Sequence, residues 1–302
     1  MNMTSLTRVW GRIPPGYKLI LPAVLILGLF QIYPIIDALA ISFKHFDFLN
    51  PSAAHWVGLQ NYLTLFRQIS FRAAIGNTAF LLIFVVPSQT ILGFGLALLL
   101  NSRLRGRDFF RTIYFLPYVS PPVAIAAIVS YLFTINAPAT LTLMNIFHTP
   151  DVPWYATSPY ALVLVALITI WMQTGLYMVL YLSGLQTIPR ELYEAGAIDG
   201  ASSWQMVRHV TVPLLRPTTF LITVMGIIAT LQIFDVPYMV SSIGGGVPGG
   251  PGNSTMTMVM YLYTEAFTNF NMGLASAAAF VIFGAIFVLT LIQYQFLNSG
   301  QT

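Results

Sequence analysis

Residues 194–215 read EAGAIDGASSWQMVRHVTVPLL, the longest stretch of polar character in the C-terminal half of an otherwise very apolar chain. Pro189 suits a first helical position, and Glu191 lies where a helix N-terminus favours negative charge. Asp199-Gly200 is a turn signal, because glycine takes φ > 0 without steric cost. Ser202 and Gln205 have capping-box spacing, which starts a second helix. Pro213 interrupts that helix where another apolar run begins. Residues 189–213 are therefore expected to form a helix, a break and a second helix. In the first helix Leu192, Ala195 and Ile198 are expected to face the rest of the protein, leaving Glu191, Glu194 and Ala197 turned partly toward water. Small Ala195, Gly196 and Ala197 would let another backbone come close, as suits docking into a groove of a soluble partner. An amphipathic connector resting on lipid headgroups fits the same pattern.

The flanking composition says where such a segment must sit. The chain has 302 residues, of which 57% are hydrophobic and 7% charged, with mean hydropathy +0.76. Soluble domains carry about 25% charged residues, so this chain is an all-α integral membrane protein. A helix needs about 20 apolar residues to cross a bilayer core. Six stretches qualify, at 19–43, 74–100, 112–133, 160–182, 214–234 and 274–297. They are too long and continuous for barrel strands. Residues 1–18 form an N-terminal segment, 19–302 a single membrane domain, and 183–213 the polar loop with which we began.

If the N-terminus is cytoplasmic, ten of the thirteen basic residues fall inside: Arg8, Arg12, Lys18, Arg103, Arg105, Arg107, Arg111, Arg190, Arg208 and Arg216. Lys44, Arg67 and Arg72 fall outside. Positive charge is retained in the cytosol, so both termini and the 183–213 loop are expected there. Ala38-Leu39-Ala40 resembles a signal-peptide cleavage site, but the run before it is long for one and Pro34 and Asp37 sit near its end. An uncleaved first span is expected.

Much chemistry is excluded. There are no cysteines, hence no disulfide or thiolate site. A P-loop needs Gly-Lys-Ser/Thr, yet neither Lys18 nor Lys44 follows a glycine, so any ATP hydrolysis belongs to another chain. The glycine-rich 244–252 reads as a flexible loop. His45, His55, His148 and His209 are scattered with no metal-binding spacing, and no metal site is expected. Glu191 and Glu194 have no nucleophile beside them, so no enzyme is expected. The arginines of 103–111 sit beside a span, where they set topology and meet anionic lipid rather than nucleic acid.

Polar residues inside spans point to a translocation path. Thr169, Gln173 and Tyr177 recur every four residues and share one face. Gly226, Thr230 and Ile233 do the same on the fifth span, with Gln232 and Asp235 at its end. Hydroxyl and amide groups beside an aromatic wall suit a sugar, although helix packing also uses small and hydroxylated residues. Asp37 reads as a structural interface residue, and Gly273, Ala277 and Gly284 as close helix packing.

The opening stretch resembles the EAA loop of binding-protein-dependent ABC importer permeases. That pattern is Glu-Ala-Ala, three residues, Gly, nine residues, then Ile-x-Leu-Pro. Here Glu194-Ala195-Gly196 precedes Gly200, and nine residues later come Val210-Thr211-Val212-Pro213. Gly196 replaces the second alanine, and the two valines replace larger aliphatics. Tyr33-Pro34, Ser42-Phe43, the segment 111–117, Ala266-Phe267 and Gly273 to Ala277 are similar to the maltose-type, carbohydrate-uptake branch. The 244–252 loop departs from it, being longer and richer in glycine.

The resemblance implies a type I ABC importer permease fold in a bacterial or archaeal inner membrane. It implies a heterodimer with a second permease, two ATPase subunits that bind ATP and Mg, and an external substrate-binding protein. Glu194, Ala195, Gly196, Asp199, Gly200 and Pro213 would then couple to the ATPase, while this chain carries no cofactor. The expected cargo is a sugar or oligosaccharide. Glycerol phosphate or another small solute is the alternative, although no intramembrane Arg or Lys is evident to hold a phosphate. A different class, an ion-coupled secondary carrier, would show ionisable groups deep in its spans or inverted repeats; two Asp near span ends are all that appears.

Overall fold

The computed structural model describes residues 15–102, 105–243 and 246–298. Arg8, Arg12, Arg103 and Gly244 lie outside the described residues. Among the described residues, five helices are long and apolar enough to cross a membrane: Leu19–Ser42, Ile69–Asn101, Tyr160–Gln186, Arg216–Ile243 and Met272–Gln295. A bent pair, Arg107–Val119 with Pro122–Leu132, makes a sixth if counted as one span. The second span has 33 residues, about 50 Å at ~1.5 Å per residue, and so outreaches a ~30 Å hydrocarbon core.

The third span, expected at 112–133, is bent rather than one continuous helix. Its two halves meet at 98°. Pro121 and Pro122 follow Ser120, and a residue before proline is pushed to extended backbone; Ser120 sits at ψ 148°. Neither half alone is long enough to cross.

The fifth span differs too. It begins at Arg216, with the interruption at Leu215 rather than Pro213, and its first helix ends at Leu231. After a break at 232–234, a second helix runs Asp235–Ile243. Pro237 explains the break, because its ring clashes with the carbonyl four residues earlier and offers that carbonyl no N–H. That carbonyl belongs to Ile233, and it accepts a hydrogen bond from Thr257 Oγ1 at 2.9 Å instead. Helical bonding resumes with Tyr238 N–H to Phe234 O at 2.9 Å.

Prolines at 34 and 213 are tolerated differently. Each follows a π-turn, Gly28–Ile32 and Val207–Thr211 respectively. The wider turn carries the chain past a proline without a sharp break.

The second and fourth spans pack along their lengths and form the core of the domain. Leu81, Val85, Leu164, Val165 and Ile168 fill one end of it, and Ala97, Tyr181, Leu182 and Leu185 the other. A third cluster joins Leu65, Phe71, Met258, Tyr261 and Leu274. Glycines set the spacing. A Cβ on Gly93 would come within 2.5 Å of the Tyr177 Cβ, and one on Gly175 within 2.9 Å of the Phe115 Cα.

At the end away from residues 189–213, a two-stranded hairpin (Lys44–His45 with His55–Trp56) caps the bundle. Asn61 donates to the carbonyls of Ser42 and Lys44, each at 2.8 Å. Gly273 lets the start of the sixth span meet the hairpin segment at Lys44 O and Phe46 N, and also Asn61 of the helix Gln60–Arg67. Nothing lies near Gly284, which leaves that position without the close contact expected of it. Tyr261 donates to Gln68 Oε1. Burial, and secondarily Glu265, holds its phenol above the ordinary range, so it remains a donor.

The glycine contacts give a stability test. Gly175→Val places side-chain atoms against the Tyr114–Phe115 backbone and is expected to cost at least about 1–3 kcal/mol. Gly76→Ala, which meets open space, is expected to keep or raise the thermal midpoint in detergent.

Candidate translocation cavity and docking helix

The break in the fifth span opens a cavity of about 190 Å³. Its walls include Pro122 from the bend of the third span and Thr169 and Gln173 from the fourth. Gln232, Ile233 and Phe234 come from the break itself, with Asp235 beside them. Two proline-forced discontinuities and one straight helix thus surround a polar hollow inside an apolar domain. Thr169, Gln173, Gln232, Ile233 and Asp235, chosen from the sequence, are brought together here.

Tyr177, Gly226 and Thr230 do not line this cavity. Tyr177 is buried among Ala97, Met178, Tyr181 and Ile222. Its hydroxyl lies where a Gly226 Cβ would be, and finds no hydrogen-bond partner among the described residues. Gly226 therefore works as the notch that admits Tyr177 between the fourth and fifth spans. Thr230 is buried two residues before the break.

Sequence reasoning missed Gln89. It is 1% exposed, in the middle of the second span. Its Nε2 donates to Thr169 O at 3.2 Å, while its Oε1 has no partner among the described residues. Thr169 in turn donates to Val165 O at 2.7 Å. The available signal was an amide in the polar triplet Ser88-Gln89-Thr90 inside a long apolar run, a pattern that marks function or interhelical contact.

At the opposite end, the first polar helix spans Arg190–Ile198 with Pro189 as its N-cap. It closes in a Schellman motif: Gly200 N–H bonds Ala197 O at 3.1 Å and Ala201 N–H bonds Gly196 O at 2.9 Å. Gly200 takes φ 77° as this requires. The Ser202–Gln205 capping box is formed in both directions.

The facing of this helix corrects the expectation. Leu192 and Ile198 are 41% and 87% exposed, and Ala195 is exposed. The helix turns Tyr193 and Gly196 inward instead. Tyr193 shares a 3.0 Å hydrogen bond with Thr211. A Cβ on Gly196 would lie 2.6 Å from Met206 Sδ, so the second helix packs on bare backbone. The glycine that departs from the EAA pattern leaves room for the thioether end of Met206. Glu194 and Asp199 are exposed beside the outward Ile198, and Pro213 is half-buried behind them.

Residues 89–299 match the family described as binding-protein-dependent transport system inner membrane component. The chain belongs to this family. It is a multi-pass transport subunit that works with a substrate-binding protein. The permease is 32% identical to the lactose transport system permease of Rhizobium radiobacter, over 92% of each chain. It is 29% identical to the sulfoquinovosyl glycerol transport system permease of Agrobacterium fabrum, over 93% of this chain and 89% of that one. It is 30% identical to the trehalose/maltose transport system permease of Thermococcus litoralis, over 92% and 91%. In fold it is similar to a subunit of a bacterial ABC transporter involved in the import of alginate, with TM-score 0.80 and 21% identity over 98% of each chain. The permease therefore has the ABC importer permease fold.

Tyr193→Phe removes the bond that ties the 190–198 helix to the base of the fifth span. Amide exchange in 190–198 is expected to quicken by an amount corresponding to about 0.5–1.5 kcal/mol. Adding Thr211→Val is expected to add only the loss of the longer 3.4 Å bond from Thr211 to Met206 O, because the Tyr193–Thr211 bond is already gone.

Proposed function

We propose that this permease carries a sugar or oligosaccharide, received from an external binding protein, across the membrane under the drive of ATPase subunits. The observation that carries the reading is the cavity at the broken fifth span. Amides of Gln173 and Gln232 and the carboxylate of Asp235 match sugar hydroxyls, and Phe234 supplies an apolar wall. The transport activities named for its relatives agree with it, being largely those of carbohydrates. The three residues outside this cavity, Tyr177, Gly226 and Thr230, join the pathway only if the spans move.

Two features support a second permease subunit. Ligand pockets usually measure about 300–1,000 Å³, so a 190 Å³ hollow suits one side of a shared site. The first span is apolar along its length yet packs mainly through its last turns against the sixth, leaving Asp37 exposed. A carboxylate facing hydrocarbon costs up to about 2.5–3.5 kcal/mol even on lenient scales, and a second subunit would cover it. An apolar groove of about 670 Å³ beside Leu92, Ile113, Leu116 and Trp171 offers a further surface for a helix of that subunit.

The exposed Ile198, Glu194 and Asp199 project where a soluble partner would reach them. In this reading Glu194, Ala195, Gly196, Asp199 and Gly200 dock in a cleft of one of two ATPase subunits, which hold ATP and Mg. Pro213 braces the docked segment. The 189–213 end and both termini are then cytoplasmic, in a bacterial or archaeal inner membrane, and the hairpin end faces out.

The test uses tagged permease purified from detergent-solubilised membranes, then reconstituted with whatever copurifies and with its binding protein. Native protein is expected to bring down a second permease and a P-loop ATPase, and to import at least one labelled neutral sugar from a panel of disaccharides and their oligomers. Glu194→Lys with Gly200→Pro is expected to lose the ATPase and keep the second permease. A native chain that purifies alone and moves solute down an ion gradient would replace this reading with the carrier.

A further inference from the structure

From Phe234 on the cavity wall, a row of aromatic rings leads outward. The Phe234 ring lies 4.9 Å, centre to centre, from Tyr263, and Tyr263 lies 5.1 Å from Phe267. Both contacts are tilted, at 48° and 39°. Tyr238 braces the row from one side, stacked on Phe234 at 5.1 Å and edge-on to Tyr263 at 5.7 Å. Burial falls along the row: Phe234 and Tyr263 are half-buried, and Phe267 is 60% exposed. The neighbours of Phe267, Thr268 and Asn269, are polar and exposed.

Local backbone holds the exposed end in place. Residues Thr264–Thr268 form a π-turn, closed by Asn269 N–H to Thr264 O at 2.9 Å, and such turns recur at functional sites. Asn271 N–H bonds Glu265 O at 2.8 Å and Phe48 N–H bonds Phe270 O at 2.9 Å. A large apolar ring is thus fixed in an exposed position among polar residues, continuous through one intermediate ring with a polar cavity.

We propose that Phe234, Tyr263 and Phe267 form a stacking lane for the later units of an oligosaccharide whose leading unit occupies the cavity. Sugar rings present C–H groups on their faces and hydroxyls on their edges. Aromatic faces attract the former through the π-system and by excluding water, while their tilted succession tolerates different linkages. The lane runs toward the hairpin end, from which an external binding protein would release its cargo. It rests on the sugar-import reading and adds to it: the permease favours chains over short sugars.

A membrane-anchoring role for Phe267 is the competing use of an exposed aromatic near a span end. The two separate in reconstituted complete transporter, with its partner subunits and binding protein. The probe is the sugar that the native complex imports, offered as a disaccharide and as longer oligomers at saturating binding protein. Phe267→Leu keeps an apolar side chain and removes the ring. The oligomer-to-disaccharide ratio of transport rates is expected to fall about three- to tenfold, on the scale of one aromatic contact. Phe267→Tyr is expected to restore the ratio. Because a ratio is read, partial loss of assembly cancels. An unchanged ratio, or equal loss for both sugars, removes the lane and leaves the import reading standing. A native complex that imports no sugar removes both.

Discussion

The carbonyl of Ile233 decides the shape of this domain. Pro237 denies it a helical partner, and in a region without water an unpaired carbonyl costs several kcal/mol. Thr257 supplies the missing donor from 24 residues downstream. That bond draws the returning loop against the fifth span. Met258 N–H then meets Thr78 Oγ1 at 3.1 Å, and Asn77 Nδ2 bonds the carbonyls of Asn253 and Met256 at 2.7 and 2.9 Å. One missing hydrogen bond is thereby converted into a junction between the second span, the fifth span and the loop. The residues displaced by the break, 232–235, are the ones that face the cavity.

What the sequence revealed follows from which forces are local. Six apolar runs were readable because bilayer thickness acts on length alone. The Gly200 turn and the Ser202–Gln205 box were readable because they involve residues at most a few positions apart. The bend at Ser120 was signalled by Pro121-Pro122, but hydropathy averages across a bend and reports a continuous span. The facing of the 190–198 helix was misjudged because apolar periodicity assumes that the greasiest stripe faces the core. A helix that meets a partner can leave Leu192 and Ile198 outward and turn Tyr193 and Gly196 in.

The cavity was half legible for the same reason. Periodicity placed Thr169, Gln173 and Tyr177 on one face, yet eight residues of helix cover about 12 Å, so one face passes several environments. Thr169 and Gln173 reach the hollow, and Tyr177 passes below it into apolar packing, with its hydroxyl over Gly226. Gln89 escaped because it belongs to a different span, and only tertiary packing brings it to Thr169.

One helix connects the two ends of the molecule. Arg216–Leu231 has 16 residues, about 24 Å of rigid rod. At its base Leu215 is buried beside Gly184, and Thr211 bonds Tyr193 of the outward-facing helix. At its top it stops at the Pro237 break and the cavity wall. A displacement of the 190–198 helix therefore has a short mechanical route to Gln232 and Asp235, through one hydrogen bond and one helix. Flexibility along that route is concentrated at its two ends, at Leu215 and at residues 232–234, where the helical ladder is interrupted. In an alternating-access cycle those are the positions where backbone angles would have to change, while the rod between them and the Gly93–Tyr177 and Gly226–Tyr177 contacts beside it stay packed.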